Sequence, residues 1–435
     1  MADTAPAESN TEKAPAEGTQ AGKEEEAVPT PPVKQTRSIY LTGFGGPKYV
    51  RLQTKEQKTV GKGEIAVEVE ACGLGFLDVM TRQGLLEITG KPPFIMGSEC
   101  CGKVSEVGEG VTKYKVGDEV VVLCDGGAWT ERLVITPLCE KTEEETGASS
   151  GEAAETKATA VATTAPPAVV LPKPACLTDV QAAVASMSYL PAYFLLHRVA
   201  CVRPNDVVLV HSAGGGVGTA IGQLAKLIGN VKLVGIASAN KHEKLTSLYD
   251  QLININQDYV AEVKKEHPLG VTVVLDSRSG EDTNKGISLL QPLGRYVIYG
   301  SSNFVTGDRK NLFSFAKSWI QMDRINPLKL QEESKVLGGF SLRSLIFRQH
   351  AQLSTIFEAW QELTQLFSEK KIEPIVDSTW CFEEVKEAMQ KLQERSNIGK
   401  VALNPKLQPK APEPEVKTAD KEEEEPKEEN KETTS

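Results

Sequence analysis

The sequence has few aromatic residues, no C-x-x-C cysteine pair, no excess of positive charge and no long apolar run. Aromatic residues make up only 6% of its 435 residues, whereas 40% are hydrophobic and 25% are charged, a composition typical of a soluble globular protein. None of its eight cysteines forms a C-x-x-C pair, which excludes the common zinc and redox motifs. The net charge of −10 would repel a phosphate backbone, so we do not expect nucleic acid as a partner.

Two further absences concern membranes. The N-terminal stretch MADTAPAESNTEKAPAEGT contains no apolar core of a signal peptide. No later stretch approaches the roughly 18 apolar residues that a membrane span requires. We therefore predict a cytoplasmic protein without a transmembrane span, whose contact with any membrane is peripheral.

Composition divides the chain into segments. Residues 1–36 are rich in Ala, Pro, Glu and Thr, and residues 405–435 alternate Lys, Glu and Pro. Neither segment has enough apolar surface to offset the entropy of ordering, so we predict two disordered tails. A similar stretch at residues 140–167 is predicted to be a flexible insertion in a surface loop. The rest of the chain is long enough for two domains.

The two halves of the central region differ in hydrophobic pattern. Between residues 37 and 136, short strands such as SIYLTGF, EIAVEVEAC and GDEVVVLC are separated by glycines, which indicates a β-barrel or sandwich. From residue 178 onward, the apolar strands VVLV, VKLVGIAS, VTVVLDS and GRYVIYG alternate with predicted helices, one of them through ISLLQPL. This alternation indicates a parallel sheet that is covered on both faces, and hence an α/β protein.

A glycine-rich segment gives the first indication of function. VVLVHSAGGGVGTAIGQLAK, residues 207–226, predicts a strand, a turn and a helix beginning near Val217. This is the dinucleotide-binding arrangement with alanine in place of the first glycine, in which backbone amides face a pyrophosphate at a helix N-terminus. The alternative is a turn with only a packing role. The predicted ligands are Gly214, Gly215, Gly216, Val217 and Gly218, with the amides of Gly215, Gly216 and Val217 facing the pyrophosphate.

The next strand indicates which dinucleotide is bound. NAD-binding sites usually place a carboxylate about 20 residues after the glycines. The corresponding segment VKLVGIASANKHEK offers Ser238 and Lys241 and has no acid before Glu243. Because a hydroxyl and an ammonium suit a 2′-phosphate, we predict NADPH as the cofactor. The alternative is that Lys241 and Lys244 are solvated residues at the start of a helix.

The order of motifs resembles a known family. ACGLGFLDVMTRQG, VGEGV, VGDEV, VLVHSAGGGVG and LLQPLGRYVIYG are similar to the zinc-independent quinone oxidoreductase branch of the medium-chain dehydrogenases/reductases. Within that branch, YGSSNFVTG, GGFSL and IVDSTWCFEEVKEAMQKLQERSNIGKV resemble the synaptic vesicle membrane protein (vesicle amine transport protein) homologues, especially the homologue-like group. The similarity runs from about residue 38 to residue 403, excluding the insertion.

The resemblance implies a discontinuous domain. Residues 38–175 and 338–404 would form a GroES-like β-barrel domain, and residues 176–337 a Rossmann NADP-binding domain with a doubly wound parallel sheet. The nicotinamide would lie in the cleft between them. For Phe340 the alternative is a role in the interdomain core alone. The residues that the resemblance implies beside the nicotinamide are Gly300, Ser301, Ser302, Gly338, Gly339 and Phe340.

The resemblance also bears on metal and substrate. Zinc-dependent relatives place a cysteine where this chain has Gly75 and Phe76, and a histidine where it has Ser98. We therefore predict no metal site. Without a Lewis acid the acceptor must already be electrophilic, which favours a quinone or an enone as the small-molecule substrate.

Two departures from the family pattern leave the catalytic residues unassigned. Gly75 replaces the usual asparagine, and Leu86 lies where relatives commonly carry a tyrosine. The polar candidates that remain near the nicotinamide are Asp78, Arg82, Ser301 and Ser302. For Asp78 and Arg82, four residues apart on a predicted helix, a simple ion pair is the alternative. Lys400 would either reach a cofactor phosphate or lie on the surface.

Two functions follow from these observations. The first is an NADPH-dependent reductase of quinones or activated alkenes. The second is a cofactor-binding protein with little turnover that acts at a vesicle or mitochondrial outer membrane surface through its tails. The resemblance also implies a homodimer formed by pairing edge strands.

Overall fold

The computed structural model describes residues 34–86, 90–138, 165–305, 307–308, 326–349 and 353–409. The predicted tails and the predicted insertion lie almost entirely outside these ranges. Two predicted boundaries shift. The first strand begins at Gln35, inside the segment assigned to the N-terminal tail. The predicted insertion ends too late, because Ala165 is buried and Pro167 opens a strand.

The N-terminal half forms a β-barrel. β3 pairs antiparallel with β5 on one side and with β7 on the other, so the order β3-β5-β6-β8-β7 closes on itself. β1, β2 and β4 form a small separate sheet. One helix, α1 (Phe76–Gln83), begins at the end of β3. The strands are β1 (Gln35–Leu41), β2 (Val50–Glu56), β3 (Ile65–Leu74), β4 (Phe94–Ile95), β5 (Glu99–Val107), β6 (Glu119–Cys124), β7 (Arg132–Pro137) and β8 (Pro167–Pro172).

The second half forms a parallel sheet with helices on both faces. Its strand order is β11-β10-β9-β12-β13-β14, and every neighbouring pair is parallel. Separate apolar clusters cover the two faces, as the continuous apolar strands predict. The strands are β9 (Val207–Val210), β10 (Lys232–Ala237), β11 (Gln251–Asn254), β12 (Val271–Asp276), β13 (Leu290–Ile298) and β14 (Val336–Gly339). The helices are α2 (Asp179–Tyr193), α3 (Gly216–Ile228), α4 (His242–Leu245), α5 (Tyr259–Glu266) and α6 (Glu281–Ser288).

This strand order places the cofactor crevice. The chain runs outward from β9 in one direction to β11 and in the other from β12 to β14. Ligands of such sheets bind at the carboxyl ends of the strands where the order reverses, which here lies between β9 and β12.

Two sequence-based predictions in this half are wrong in detail. The helix predicted through ISLLQPL ends at Ser288, and the rest of that segment belongs to β13. Gly338 and Gly339 pair with Val297 and Ile298 of β13, so they belong to the nucleotide-binding sheet and not to the returning part of the barrel. A strand made of two apolar residues and two glycines has too little pattern to be recognised locally.

The C-terminal stretch returns to the barrel, as the resemblance implied. β16 pairs antiparallel with β3 and parallel with β15. The backbone amide of Gly399, just before β16, donates to the carbonyl of Gly214 at 2.9 Å. The barrel therefore contacts the glycine-rich loop directly. The remaining elements are α7 (Pro327–Glu332), α8 (Leu342–Phe347), α9 (Leu353–Ser368), β15 (Val376–Trp380), α10 (Val385–Gln393) and β16 (Lys400–Leu403).

Candidate active site

The glycine-rich loop forms the strand–turn–helix unit that its sequence predicts. β9 ends at Val210 and α3 begins at Gly216, and no side chain caps this helix. The first amides of a helix have no partner within it, so the amides of Gly216 and Val217 remain available for an anion. The amide of Gly215 does not, because it donates to the carbonyl of Ser212 at 2.9 Å to close the turn. The prediction that all three amides face the pyrophosphate is wrong for Gly215.

Gly218 allows the helix to pack against the loop. A Cβ atom at this position would lie 2.5 Å from the carbonyl oxygen of Ser212 and 2.6 Å from that of Ala213. Both obstacles are backbone atoms that cannot move without breaking the turn. A residue larger than glycine would therefore push α3 away from β9.

A cleft of about 320 Å³ lies beside this loop, between the nucleotide-binding sheet and the barrel. Eleven of the thirteen residues predicted at the cofactor line it, and the exceptions are Gly338 and Gly339. Both glycines lie in β14, where they pair with Val297 and Ile298 of β13. The Oγ atom of Ser302 is buried without a hydrogen-bond partner among the described residues, so a ligand amide or hydroxyl there would satisfy it.

The charge of the cleft is positive. Among its described lining residues there is no aspartate or glutamate. The cations that line it are Lys241, Arg343, Arg395 and Lys400. An acidic ribose contact of the kind that holds NAD is thus missing from the described wall, whereas a phosphate would meet complementary charge.

Lys241 is buried, and only 7% of it is exposed. Its ammonium donates to the backbone carbonyl of Asn397 at 2.7 Å, and burial lowers its pKa. The alternative of a solvated lysine is therefore wrong for Lys241, although Lys244 is exposed. The side chain of Lys241 joins the strand end after β10 to the segment that precedes β16.

Arg395 is a second cation that lines the cleft, and no sequence motif predicts it. Its Nη2 atom donates to the carbonyl oxygen of Ser302 at 3.0 Å. Burial lowers the pKa of Arg395, and its charge also contributes to lowering the pKa of Lys241. Neither cation forms an ion pair with any carboxylate in the described part of the chain, so a bound phosphate would relieve the repulsion between them.

The barrel side of the cleft contains the first turn of α1. Asp78 is only 4% exposed, and its Oδ2 atom accepts a hydrogen bond from the amide of Gly75 at 2.8 Å. Burial raises the pKa of Asp78 to about 7. Arg82 is fully buried, donates to Gln393 Oε1 at 2.7 Å and does not line the cleft. The simple Asp78–Arg82 ion pair is therefore wrong, because each side chain has another partner.

Lys400 is neither a surface residue nor a ligand held ready for a phosphate. Its side chain is 13% exposed, and its ammonium lies 2.9 Å from Oε1 of Glu99, which is 1% exposed. The Oε2 atom of Glu99 accepts hydrogen bonds from Ser186 Oγ and the Met187 amide. This pair joins two segments far apart in the sequence, so no local pattern could have predicted it.

The far end of the cleft is apolar and contains one interdomain ion pair. Phe340 stacks on Phe194 with ring centroids 5.6 Å apart and also lines the cleft, so it serves both the core and the wall. Arg343 forms a bidentate pair with Asp125 of the barrel, with Nη2 and Oδ2 2.9 Å apart. Leu86 packs against the barrel core.

The described residues contain no group of three or more histidine, cysteine or acidic side chains placed to share a metal ion. The absence of a metal therefore stays a prediction. Burial raises the pKa of the Cys124 thiol to about 12, so this thiol is protonated at neutral pH.

In the part of the chain that the structure describes, no helix is both long and apolar enough to cross a bilayer.

A GroES-like barrel joined to a six-stranded Rossmann sheet around such a cleft defines a medium-chain dehydrogenase/reductase. Two family models agree. Residues 61–173 match the alcohol dehydrogenase GroES-like domain, and residues 249–403 match the zinc-binding dehydrogenase model. The fold and family indicate an oxidoreductase that uses a nicotinamide dinucleotide.

Comparisons with individual proteins narrow the family. The human synaptic vesicle membrane protein VAT-1 homolog-like is 42% identical over 371 residues, which cover 85% of this chain and 81% of that protein. A crystal structure of a human VAT-1 homolog-like protein matches with a TM-score of 0.69 at 36% identity, covering 86% of this chain and 99% of that one. The chain belongs to the VAT-1 homologue family. The Escherichia coli quinone oxidoreductase complexed with NADPH matches with a TM-score of 0.66 at 26% identity, covering 85% and 100% of the two chains.

Proposed function

We propose that this protein is an NADPH-dependent reductase that transfers hydride to a quinone or to an activated alkene. One observation carries the proposal: a single cleft combines an uncapped helix N-terminus, the buried Lys241 and the half-buried Arg395, which form no ion pair among the described residues, and an apolar far end. The first two features fit the phosphates of NADPH, and the third fits a flat apolar acceptor. Bound NADPH would supply the hydride at its nicotinamide ring.

The residues divide along the cleft. The amides of Gly216 and Val217 would hold the pyrophosphate, and Lys241 would hold the 2′-phosphate beside Ser238. Arg395 would add positive charge to the wall of the cleft. The buried Oγ of Ser302, which lacks a partner among the described residues, would bind the nicotinamide side. The E. coli quinone oxidoreductase matched above was solved with NADPH, which supports this choice of cofactor.

Steady-state turnover tests the proposal. NADPH oxidation would be followed with ortho-quinones, para-quinones and enones, with NADH in parallel. We expect turnover of at least one acceptor with NADPH and slower turnover with NADH. Tight NADPH binding without turnover of any acceptor would contradict the reductase.

A second candidate is a nucleotide-binding protein with little turnover that acts at a membrane surface. The observation that favours it is the loss of two polar residues, since Gly75 carries no side chain and Leu86 packs into the barrel core. In that case the tails would provide contact with a vesicle or mitochondrial outer membrane, and the protein would otherwise be cytoplasmic. The printed name of the human relative, a synaptic vesicle membrane protein homologue, supports this location.

Flotation with neutral and anionic phospholipid vesicles tests the second candidate. The full chain is compared with a chain that lacks residues 1–33 and 410–435, which leaves β1 intact. The second candidate predicts that flotation depends on the tails. Equal flotation of both chains would contradict it.

We also propose a homodimer. Among the described residues, β14 is the last strand of the parallel sheet, and Val336 in this strand is 56% exposed. Edge strands with free backbone groups pair readily with a second copy. Light scattering should give the mass of a dimer, and Val336→Pro should reduce it to that of a monomer.

A further inference from the structure

The missing side chain of Gly75 leaves room for a charged group. A Cβ atom on Gly75 would lie 2.8 Å from Nζ of Lys400 and 3.3 Å from its Cε atom. The same point lies 3.9 Å from Oδ2 of Asp78. Gly75 and Lys400 both line the cleft. An ammonium group therefore lies where the side chain of residue 75 would begin.

The position of this ammonium is fixed from behind. The Cδ atom of Lys400 lies 3.2 Å from the point that a Cβ on Gly216 would occupy, so the stem of the side chain crosses the start of α3. The head group then meets the buried carboxylate of Glu99 at 2.9 Å. Because Glu99 is itself held by α2 through two hydrogen bonds, the ammonium has little freedom to leave the wall.

The other proton donors of the cleft are less suitable. Burial raises the pKa of the Tyr299 hydroxyl, which makes it a weaker acid. The Oγ atom of Ser188 donates to Val184 at 2.9 Å, and that of Ser277 donates to Ser212. Arg343 is paired with Asp125, and guanidinium groups keep their protons in proteins. Two described lysines line the cleft. Lys241 is assigned to the 2′-phosphate, so Lys400 is the lysine left to donate a proton on the barrel side.

We propose that Lys400 is the catalytic proton donor, with its ammonium bound to the carbonyl oxygen of the quinone or enone substrate. This inference rests on the proposed function. For an enone, the substrate accepts the hydride at its β-carbon, and the electron pair of its C=C bond shifts to form the enolate. The enolate oxygen then takes a proton from Nζ, so an O–H bond forms while an N–H bond breaks. The neutral amine regains a proton from water, and the enol converts to the saturated ketone.

Lys400→Arg tests proton transfer directly. Arginine keeps the positive charge opposite Glu99, so the fold should persist, but it does not release its proton. Removing a general acid costs roughly 10²–10⁴-fold in rate. We expect kcat with 9,10-phenanthrenequinone to fall by at least about 100-fold, with the Kd for NADPH changed less than about threefold. Tyr299→Phe is the matched control, and it should leave kcat within about threefold.

Gly75→Asn distinguishes this proposal from a simpler alternative, in which the site is less active because glycine has replaced the family's usual asparagine. Gly75 has φ −127° and ψ 172°, which any residue adopts, and asparagine is favoured at the start of a helix. The new side chain would displace the ammonium of Lys400, because Nζ and Cε of Lys400 are the atoms nearest to a Cβ at residue 75. If Lys400 is the donor, Gly75→Asn lowers kcat although it restores the usual family residue. If Gly75 only removes a useful asparagine side chain, the same substitution raises kcat.

A binding measurement gives a readout that does not depend on turnover. In protein saturated with NADP⁺, 4-nitrophenolate serves as a probe for an oxyanion beside Lys400. The double variant Lys400→Met with Glu99→Gln removes the ammonium without leaving a buried carboxylate unpaired. We expect its affinity for 4-nitrophenolate to fall at least about tenfold, whereas Lys400→Arg should retain binding.

The outcomes are distinguishable. If the wild-type protein reduces no acceptor, the proposed function fails, and phenolate binding still decides whether Lys400 faces a substrate oxygen. If the wild type is active and Lys400→Arg keeps its rate, or Gly75→Asn is faster, the assignment of Lys400 is overturned while the reductase stands. Loss of activity in Tyr299→Phe would overturn it in favour of the tyrosine.

Discussion

Two buried aspartates, one in the nucleotide-binding sheet and one in the barrel, have opposite properties. Asp276 at the end of β12 is fully buried. Burial alone would raise its pKa, but the hydrogen bonds from His211 and Tyr296 and the interaction with His211 outweigh burial and lower the pKa to about 2. It accepts hydrogen bonds from Tyr296 at 2.6 Å, from His211 at 2.8 Å and from two backbone amides. Asp78 is 4% exposed and has one such bond, from the amide of Gly75. Burial raises its pKa to about 7.

The comparison teaches that the number of donors, and not burial alone, decides whether a buried carboxyl is an ion. The nucleotide-binding side satisfies its carboxylate fully and is therefore a rigid base for a cofactor. The barrel side gives Asp78 few donors, so its carboxyl can hold a proton near neutral pH. Proton chemistry is expected on the barrel side and phosphate binding on the sheet side.

The largest expected effect comes from removing the charge of Asp276. Asp276→Asn leaves the donors of Tyr296 and His211 facing a neutral amide, and breaking such a buried network costs about 3–5 kcal/mol. Because the pKa of Asp276 is lowered to about 2, its stabilising effect is present above about pH 4 and is lost as the pH falls towards 2. Thermal unfolding at pH 7 and pH 3 checks both statements.

The control is Asp258→Asn at the start of α5. Asp258 is exposed and accepts from the amides of Val260 and Ala261, which asparagine also does. The free energy of unfolding of the Asp258→Asn variant should differ from that of the wild type by less than about 1 kcal/mol. An equally small effect of Asp276→Asn would show that the buried network does not stabilise the sheet side.

The next effect concerns the glycine-rich loop. Gly218→Ala places a methyl group 2.5 Å from a backbone carbonyl, which moves α3 and its amides. We expect the Kd for NADPH to rise at least about 100-fold, or about 2.7 kcal/mol. Gly339→Ala is the matched control, since the nearest atom to its Cβ is 3.9 Å away. Equal affinity of both variants would contradict the role of the loop.

Lys241 on the sheet side should allow the protein to discriminate between NADPH and NADH. Lys241→Met removes a charge-assisted bond of about 1.5–3 kcal/mol. We expect NADPH to bind about 10–100-fold more weakly and NADH to bind as before. Lys244→Met, an exposed neighbour, should change neither affinity. Equal losses for both nucleotides would place Lys241 away from the 2′-phosphate.

The smallest effect is expected on the barrel side. The pKa of Asp78 is raised to about 7 in the folded protein, so ionisation destabilises the fold as the pH rises from about 4 to 7. Asp78→Asn removes this cost and should stabilise the protein by about 1–2 kcal/mol at pH 8, but not at pH 4. Unfolding midpoints at the two pH values check this. A stabilisation that does not depend on pH would contradict the raised pKa.

Local features were predictable from the sequence, and pairings between distant segments were not. The strand–turn–helix of the glycine-rich loop depends on neighbours in the chain, and its prediction is confirmed. The Gly215 amide was assigned wrongly because the turn uses it internally. The pairing of Lys400 with Glu99 and the approach of Arg395 to Ser302 depend on how β16 and α10 return to the barrel. No periodicity or motif encodes such contacts.

The central claim is that the cleft binds a nicotinamide dinucleotide and prefers the one with a 2′-phosphate. Calorimetric titration of the purified full-length chain with NADPH and NADH measures this directly. The account predicts binding of NADPH at least about tenfold tighter than binding of NADH, a difference of about 1.4 kcal/mol. Absence of heat with either nucleotide, or equal affinity for both, would contradict it.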